Sequence, residues 1–146
     1  MLTGTFQRSL DSKSRFTLPA EIRKELTDQI CLIPLNGVLY GFTPEGFKAW
    51  VNSQFDHDGK TYNPRDRRDV RLKLGLTSRA KTIDVDSAGR IALGKVGAEV
   101  LAKLGLGRDL CVVGADDHFE VWDAEKWAIE DALLDGDLDD LMFGSN

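Results

Sequence analysis

The sequence predicts an α+β fold, mostly β, in which two tandem copies of one small module are related by a pseudo-two-fold axis. The first indication is a repeated motif: DSKSRFTLP at residues 11–19 returns as DSAGRIALG at residues 86–94. The second is that each copy continues into a short helical pattern and then an apolar run. The third is size, because a unit of about 50 residues buries too little apolar surface to be stable alone. We therefore expect the two copies to pack together.

The elements of each copy follow from the spacing of its apolar residues. After the turn, the alternation in RFTLP and in RIALG predicts a strand whose alternate residues enter the core. AEIRKEL and KVGAEVLAKLGL then carry apolar residues at helical spacing and predict short helices. The runs ICLIPL and DLCVVGA predict buried strands. We expect Cys31 and Cys111 in them to be reduced thiols that act as small hydrophobic residues, with a disulfide as the alternative.

Each copy ends in a further strand and a helix that carries aromatic residues, in VLYGFTPEGFKAW and HFEVWDAEKWAIE. Thr43 and Asp123 are the predicted N-caps of these helices. Between the copies lies a segment that becomes basic from Arg65 onward. Both a helix and a strand fit its apolar spacing, and we favour a helix over residues 64–75. Its interleaved acids suggest ion pairs within or between subunits, and contact of its basic residues with nucleic acid is the alternative.

The predicted organisation has four parts. Residues 1–52 form the first module, residues 53–79 a basic spacer, residues 80–128 the second module and residues 129–146 an acidic C-terminal tail.

Composition and charge restrict the class of protein. The chain is 42% hydrophobic and 29% charged, as in ordinary globular proteins. It has no apolar run of the ~20 residues that cross a bilayer and no N-terminal signal pattern, so we expect a cytoplasmic protein. The net charge of −5 is unevenly distributed. Residues 1–75 carry 12 Lys and Arg against 9 Asp and Glu, whereas residues 76–146 carry 7 against 15. An anionic partner should therefore approach the first half.

The repeated turn has a chemistry of its own. Asp11 and Asp86 are each expected to stabilise a turn by accepting backbone hydrogen bonds, and Gly89 supplies a positive φ. Arg15 and Arg90 then leave a rigid turn on the face opposite the core. One interpretation is a cation held in place for binding. The other is a local Asp–Arg salt bridge, worth ~0–1 kcal/mol when exposed.

The two motifs, LDSKSRFTLPAEIR and VDSAGRIAL, with the basic spacer and the Trp-bearing helix, resemble the MraZ family over nearly the whole chain. The resemblance implies tandem AbrB-like swapped-hairpin modules with short helices and a barrel-like core, assembled into a ring-shaped homo-oligomer. It implies a transcriptional regulator that binds short direct repeats in double-stranded DNA. Those repeats lie upstream of its own operon, the bacterial division and cell-wall gene cluster, which implies association with the nucleoid.

The resemblance also assigns roles to residues. Arg15 is the expected DNA-contacting residue, with Lys13 beside it on phosphate; Arg8, Ser12 and Ser14 are further DNA-binding candidates. Ser14 stands where the family usually has glycine, and a left-handed conformation there would cost about 1 kcal/mol. In the second motif we expect Asp86, Gly89 and Arg90 to be mainly structural or to form a subunit contact, with DNA contact as the alternative.

Other functions have less support in the sequence. It contains no nucleophile–base pair, phosphate-binding loop or set of metal ligands at meaningful spacing, so we expect no enzyme, metal site, cofactor, small-molecule ligand or membrane partner. The alternative function is an oligomeric scaffold that binds other proteins rather than DNA, for which the net acidity is the main argument.

Overall fold

The computed structural model describes residues 1–144, which form a six-stranded antiparallel sheet, a separate two-stranded ribbon and five α-helices. The strands are β1 (Thr5–Ser9), β2 (Arg15–Thr17), β3 (Gln29–Leu35), β4 (Val38–Phe42), β5 (Lys81–Asp84), β6 (Arg90–Ala92), β7 (Asp109–Gly114) and β8 (Phe119–Asp123). The helices are α1 (Ala20–Arg23), α2 (Pro44–Ser53), α3 (Arg67–Arg79), α4 (Ala98–Leu104) and α5 (Ala124–Phe143), with a 3-10 turn at Leu93–Val96.

The two halves of the chain exchange strands reciprocally. The large sheet has the order β1-β7-β8-β4-β3-β5, so the first strand of each half pairs with a strand of the other half. The counterparts in the two halves are β1 and β5, β3 and β7, and β4 and β8. When each strand is replaced by its counterpart, the same order is obtained in reverse. The pseudo-two-fold axis therefore passes between β4 and β8, and the predicted fold class, α+β with tandem swapped-hairpin modules, is confirmed.

The ribbon of β2 and β6 obeys the same symmetry. The two strands are antiparallel, with Phe16 opposite Ile91, and both of these side chains are buried. The Leu18 amide donates to the Gly89 carbonyl at 2.9 Å, and the equivalent Leu93 amide donates to the Ser14 carbonyl, also at 2.9 Å. Each repeated turn is thus hydrogen-bonded to the strand that follows the other turn.

Two apolar clusters hold the elements together. The larger draws on both halves and lies between the sheet, the ribbon and α4; its fully buried members include Phe16, Leu39, Ile91 and Phe119. The smaller lies where α2 and α3 cover the β3–β4 hairpin. Cys31 and Cys111 are buried free thiols, as predicted. Strands of both halves are interleaved in one sheet. The module boundaries predicted at 52/53 and 79/80 therefore describe the repeat along the sequence, and as boundaries of domains they stay a prediction.

The predicted helix of the spacer is confirmed, with shifted ends. It begins at Arg67 because the Asp66 carboxylate accepts hydrogen bonds from the Arg68 and Asp69 amides. It continues through Gly75 to Arg79, since the next residue, Leu76, is buried in the smaller cluster. Tertiary packing here outweighs the ~1 kcal/mol that glycine costs inside a helix.

Thr43 and Asp123 cap α2 and α5 as predicted, accepting from the Gly46 amide at 2.9 Å and the Lys126 amide at 3.4 Å. The acidic segment 129–146, for which the sequence predicted no element, is helical as far as Phe143. Its last two residues, 145–146, lie outside the part of the chain that the structure describes. No helix within residues 1–144 has both the length and the apolar character needed to cross a bilayer.

Candidate nucleic-acid interface

The first Asp-x-x-x-Arg turn is closed by hydrogen bonds to Asp11. Its amide donates to the Arg15 carbonyl at 2.8 Å, and its carbonyl accepts from the Ser14 amide at 3.0 Å. One carboxylate oxygen, Oδ1, accepts from the amides of Lys13 and Arg15, both at 2.9 Å. The other, Oδ2, accepts from the Arg15 Nε at 2.9 Å. A single carboxylate therefore fixes both the backbone of the turn and the guanidinium group.

The second turn repeats this pattern around Asp86. The Asp86 Oδ1 accepts from the amides of Ala88 and Arg90, at 3.0 and 2.8 Å, and Oδ2 accepts from the Arg90 Nε at 2.8 Å. The amide of Gly89 donates to the Asp86 carbonyl at 2.9 Å. The two turns are thus the same structure built twice.

The backbone hydrogen bonds control the ionisation of the two aspartates. The hydrogen bond from the Arg15 amide is the largest of several influences that hold the pKa of Asp11 below its ordinary value, and burial acts against it. The Arg90 amide does the same for the pKa of Asp86. Both carboxylates therefore stay ionised at neutral pH and keep each arginine in place.

Ser14 has the left-handed conformation of its glycine counterpart. Its φ is +56°, compared with +76° for Gly89. The serine of the first copy therefore forms the same type of turn as the glycine of the second copy. The cost is borne by the backbone, since side chains with a Cβ disfavour this region by roughly 1–2 kcal/mol.

The arginines are fixed at one end and open at the other. In each salt bridge the Nε is bound by aspartate, and within residues 1–144 the two terminal nitrogens of Arg15 and of Arg90 make no hydrogen bond. The Arg15 side chain is 25% exposed. Each guanidinium group can therefore present its terminal edge, which carries two parallel donor directions, to a ligand.

The surroundings of the first turn are basic. Lys13 and Ser12 are exposed at its tip. Arg8 lies on the adjacent β1, where its Nε donates to the Thr17 carbonyl at 3.0 Å and one terminal nitrogen to the Gln7 carbonyl at 2.8 Å. Arg108, also exposed, lines the same cleft as Ser12 and Ser14. The structure thus brings the predicted residues together and adds one more cation.

The sequence gives no sign that Arg108 belongs to this site, because its position depends on long-range pairing. It lies just before β7, and the pairing of β1 with β7 places Ser9 opposite Asp109. The Leu10 amide then donates to the Arg108 carbonyl at 2.9 Å. Nothing in the local sequence indicates this neighbourhood; the swapped topology creates it.

The surroundings of the second turn are acidic. The residue equivalent to Arg108 is Asp28, which lines a cleft beside the turn together with Asp84 and Arg23. The Arg23 guanidinium is paired with Asp28 at 2.9 Å, so these two charges offset each other and the Asp84 carboxylate gives the cleft its negative charge. The two turns share a backbone structure but differ in the sign of the charges around them.

His118 is the other conspicuous polar group. It lies between Asp117 and Glu120 at 2.7 and 2.8 Å, and its ring stacks on Tyr40 at 4.5 Å. Burial lowers the pKa of His118, but the hydrogen bonds to Glu120 and Asp117 outweigh burial and raise it above 6.5. Glu120 also accepts from the Trp122 indole at 2.9 Å. This network braces β8 against β4. Among residues 1–144, no His, Cys, Asp and Glu cluster suits a metal ion.

Reciprocal strand exchange and two Asp-x-x-x-Arg turns define a protein built from tandem AbrB-like swapped-hairpin modules. A family model described as "MraZ protein, putative antitoxin-like" matches residues 76–133.

Curated relatives match over nearly the full length of the chain. The chain is 32% identical to a protein of Limosilactobacillus fermentum, covering 99% of this chain and 96% of that one. It is 31% identical to a protein of Corynebacterium jeikeium, covering 96% and 93%, and 30% identical to one of Mycoplasmopsis pulmonis, covering 97% and 92%. All three are named transcriptional regulator MraZ. The chain therefore belongs to the MraZ family, which consists of transcriptional regulators and not of enzymes.

Proposed function

We propose that the chain regulates transcription by binding short direct repeats in double-stranded DNA. The target is the region upstream of its own operon, the bacterial division and cell-wall gene cluster. The protein would act in the cytoplasm, at the nucleoid, as a ring-shaped homo-oligomer. The observation that carries the proposal is the difference in charge between two turns of the same structure. Polyanions are attracted by a basic surface, and only the first turn has one.

Arg15 is the residue proposed to read the base sequence. Its Nε is held by Asp11, so its two terminal nitrogens remain for the O6 and N7 atoms of a guanine. A bidentate contact of this kind discriminates against other bases by about 1–3 kcal/mol. Because the turn is rigid, little side-chain entropy is lost when the contact forms.

The neighbouring residues are proposed to contact the DNA backbone. Lys13 and Arg108 are exposed and Arg8 is partly committed to backbone carbonyls, so the first two are the stronger candidates for phosphate. Ser12 and Ser14 can donate their hydroxyl groups to phosphate oxygens. Such contacts fix the orientation on DNA and give affinity without sequence information.

The second turn is proposed to be structural. Asp86, Gly89 and Arg90 support the ribbon through the Gly89 carbonyl, and acidic residues around them oppose a polyanion. A subunit contact at this turn fits the same observations.

The experiment is a DNA-binding titration with a fragment from upstream of the gene, comparing two matched variants. Arg15→Ala should weaken specific binding at least tenfold, whereas Arg90→Ala, which removes an equivalent arginine, should retain near wild-type affinity. Both variants lose one Asp–Arg pair, so a difference between them reports the position and not the loss of a salt bridge. Equal binding by Arg15→Ala and wild type would refute the assignment.

A second candidate function is an oligomeric scaffold that binds proteins. The observation that favours it is the acidic cleft beside the second turn, lined by Asp28, Asp84 and Asp86, which repels a polyanion. A folded, oligomeric wild-type protein that binds no upstream DNA at any salt concentration would support the scaffold over the regulator.

A further inference from the structure

Half of α5 has no partner within its own chain. The helix contacts β7 and β8 through its first turns, where Trp127 packs against Trp122 with ring centroids 5.2 Å apart. From Asp131 to Phe143 every residue is exposed. Its large apolar side chains are between 39% and 79% exposed: Leu133, Leu134, Leu138, Leu141, Met142 and Phe143. So much exposed apolar surface on one helix marks an interaction site.

The projecting half of α5 combines an apolar stripe with negative charge. Leu134, Leu138 and Leu141 follow the i, i+4, i+7 spacing that places them on one face of a helix. Acidic residues surround that face, and no Lys or Arg occurs after Lys126: Glu130, Asp131, Asp135, Asp137, Asp139 and Asp140. Within residues 1–144 none of these carboxylates forms a salt bridge.

Helix α3 has the complementary surface. Val70 and Leu74 lie one turn apart on the side of the helix away from the buried Leu76, and they are 38% and 63% exposed. Arg67 and Arg71 share that exposed side. In the part of the chain that the structure describes, no Lys or Arg between residues 65 and 79 forms a salt bridge. The ion pairs that the sequence suggested for this segment are therefore not formed within one chain.

We propose that the projecting half of α5 of one copy docks along the exposed face of α3 of the next copy. The leucine stripe would cover Val70 and Leu74, and the acidic flanks would pair with Arg67 and Arg71. Two α5 helices packed on each other would instead bring like charges together, which costs free energy. The partner that fits this surface is therefore a second copy of this chain. The inference rests on the proposed function in one respect, which is that the subunits form a ring.

The surface used also determines the symmetry. Because α3 and α5 are different parts of the molecule, each copy would offer one of each, and the interface is heterologous. A heterologous contact produces a ring when its rotation closes. The first turn of every subunit would then recur at a regular spacing around that ring.

A charge-exchange experiment tests the pairing. The full-length Arg67→Glu/Arg71→Glu variant on α3, and separately Asp135→Arg/Asp137→Arg on α5, should each lose the oligomer seen for wild type in mass photometry. Combining all four substitutions should restore the oligomer, because the charges are exchanged but complementary. Lys24→Glu/Lys48→Glu, which reverses two exposed lysines elsewhere, is the matched control and should assemble like wild type.

Each alternative result would overturn the inference. A monomeric wild type, assembly by both double variants, or failure of the combined variant to reassemble would each exclude the α3–α5 contact. Circular dichroism shows whether each variant is folded, and reversal of exposed charges should leave it so. The result is independent of DNA: an intact α3–α5 oligomer that binds no upstream fragment would refute the proposed function alone.

Discussion

Ser14 shows how a single residue can keep a strained conformation. Its φ of +56° is unfavourable for any residue with a Cβ. Four interactions hold it: its amide binds Asp11, its carbonyl accepts from Leu93, and Asp11 binds both neighbouring amides, those of Lys13 and Arg15. The surrounding hydrogen bonds outweigh the local preference, so the turn survives the loss of glycine.

Ser14→Gly is therefore expected to stabilise the protein. The substitution removes roughly 1–2 kcal/mol of backbone strain, and the greater entropy of glycine in the unfolded chain costs about 0.5–1 kcal/mol, so the net gain is up to about 1.5 kcal/mol. Gly89→Ser should destabilise by a similar amount, since no atom lies within 4 Å of the added Cβ and only the backbone conformation is penalised. Chemical denaturation of both variants measures the difference. Equal stability of the three proteins would show that the left-handed conformation costs no more than the roughly 0.5–1 kcal/mol of unfolded-state entropy that glycine adds.

The site residues differ in how far the sequence could predict them. Arg15 and Lys13 were accessible because they belong to a contiguous, repeated motif with a recognisable turn chemistry. Arg108 was not, because it reaches the first turn only through the exchange of β1 onto β7. The acidic setting of the second turn was hidden for the same reason, since Asp28 comes from the other half of the chain.

At the scale of elements, the centre of the sheet shows how two unequal repeats fill one core. Leu39 on β4 lies opposite Val121 on β8, and the pair related to it by symmetry is Phe119 opposite Gly41. A Cβ on Gly41 would overlap the Phe119 ring. The first pair therefore consists of two side chains of medium size, and the second consists of a large side chain opposite a glycine. All four residues are buried.

Gly41→Val should be destabilising by about 1–3 kcal/mol, because the added side chain overpacks the core against Phe119. Adding Phe119→Leu reproduces the combination already present in the symmetry-related pair and should recover much of that loss. Thermal or chemical denaturation of the two single variants and the double variant gives the coupling energy, expected at about 0.5–3 kcal/mol. Additive losses would contradict the symmetry argument.

Most of the secondary structure was predictable from the sequence. The main errors concern the C-terminal ends of two helices, α3 and α5. The strands after each turn and the caps at Thr43 and Asp123 follow from local patterns, and both are present. The end of α3 does not, because Leu76 draws the helix past Gly75 into the smaller core. The length of α5 was missed because the apolar residues between Asp131 and Phe143 are interspersed with acidic residues and are exposed.

At the scale of the whole molecule, the backbone is nearly symmetric but the distribution of charge is not. The strand exchange makes the two halves structurally equivalent, because each turn is hydrogen-bonded to the residues that follow the strand after the other turn. The charges then divide the halves, with cations around the first turn and acids around the second and on α5. The basic face proposed to bind DNA is therefore separate from the α3 and α5 surfaces proposed to join subunits. Ring assembly would repeat the basic face without bringing α5 onto DNA.

The α5 variant Asp135→Arg/Asp137→Arg tests whether repetition of the basic face around a ring strengthens DNA binding. If assembly places several first turns on consecutive repeats, dissociated subunits should bind an upstream fragment with tandem repeats about 10²–10⁴-fold more weakly than the wild-type oligomer. Binding to a fragment with a single repeat should not weaken, because the variant keeps Arg15 and becomes more basic. This variant is preferable to the α3 variant, whose lost arginines could themselves reduce DNA affinity.

The salt dependence provides the control for this comparison. Each phosphate contact contributes roughly −0.9 to the slope of log K against log salt concentration. For the tandem fragment the slope should therefore become shallower in the α5 variant, in proportion to the number of subunits that no longer bind. For the single-repeat fragment it should match wild type. Unchanged affinity and slope on tandem repeats, from a variant shown to be monomeric, would mean that one subunit binds alone and that assembly serves another purpose.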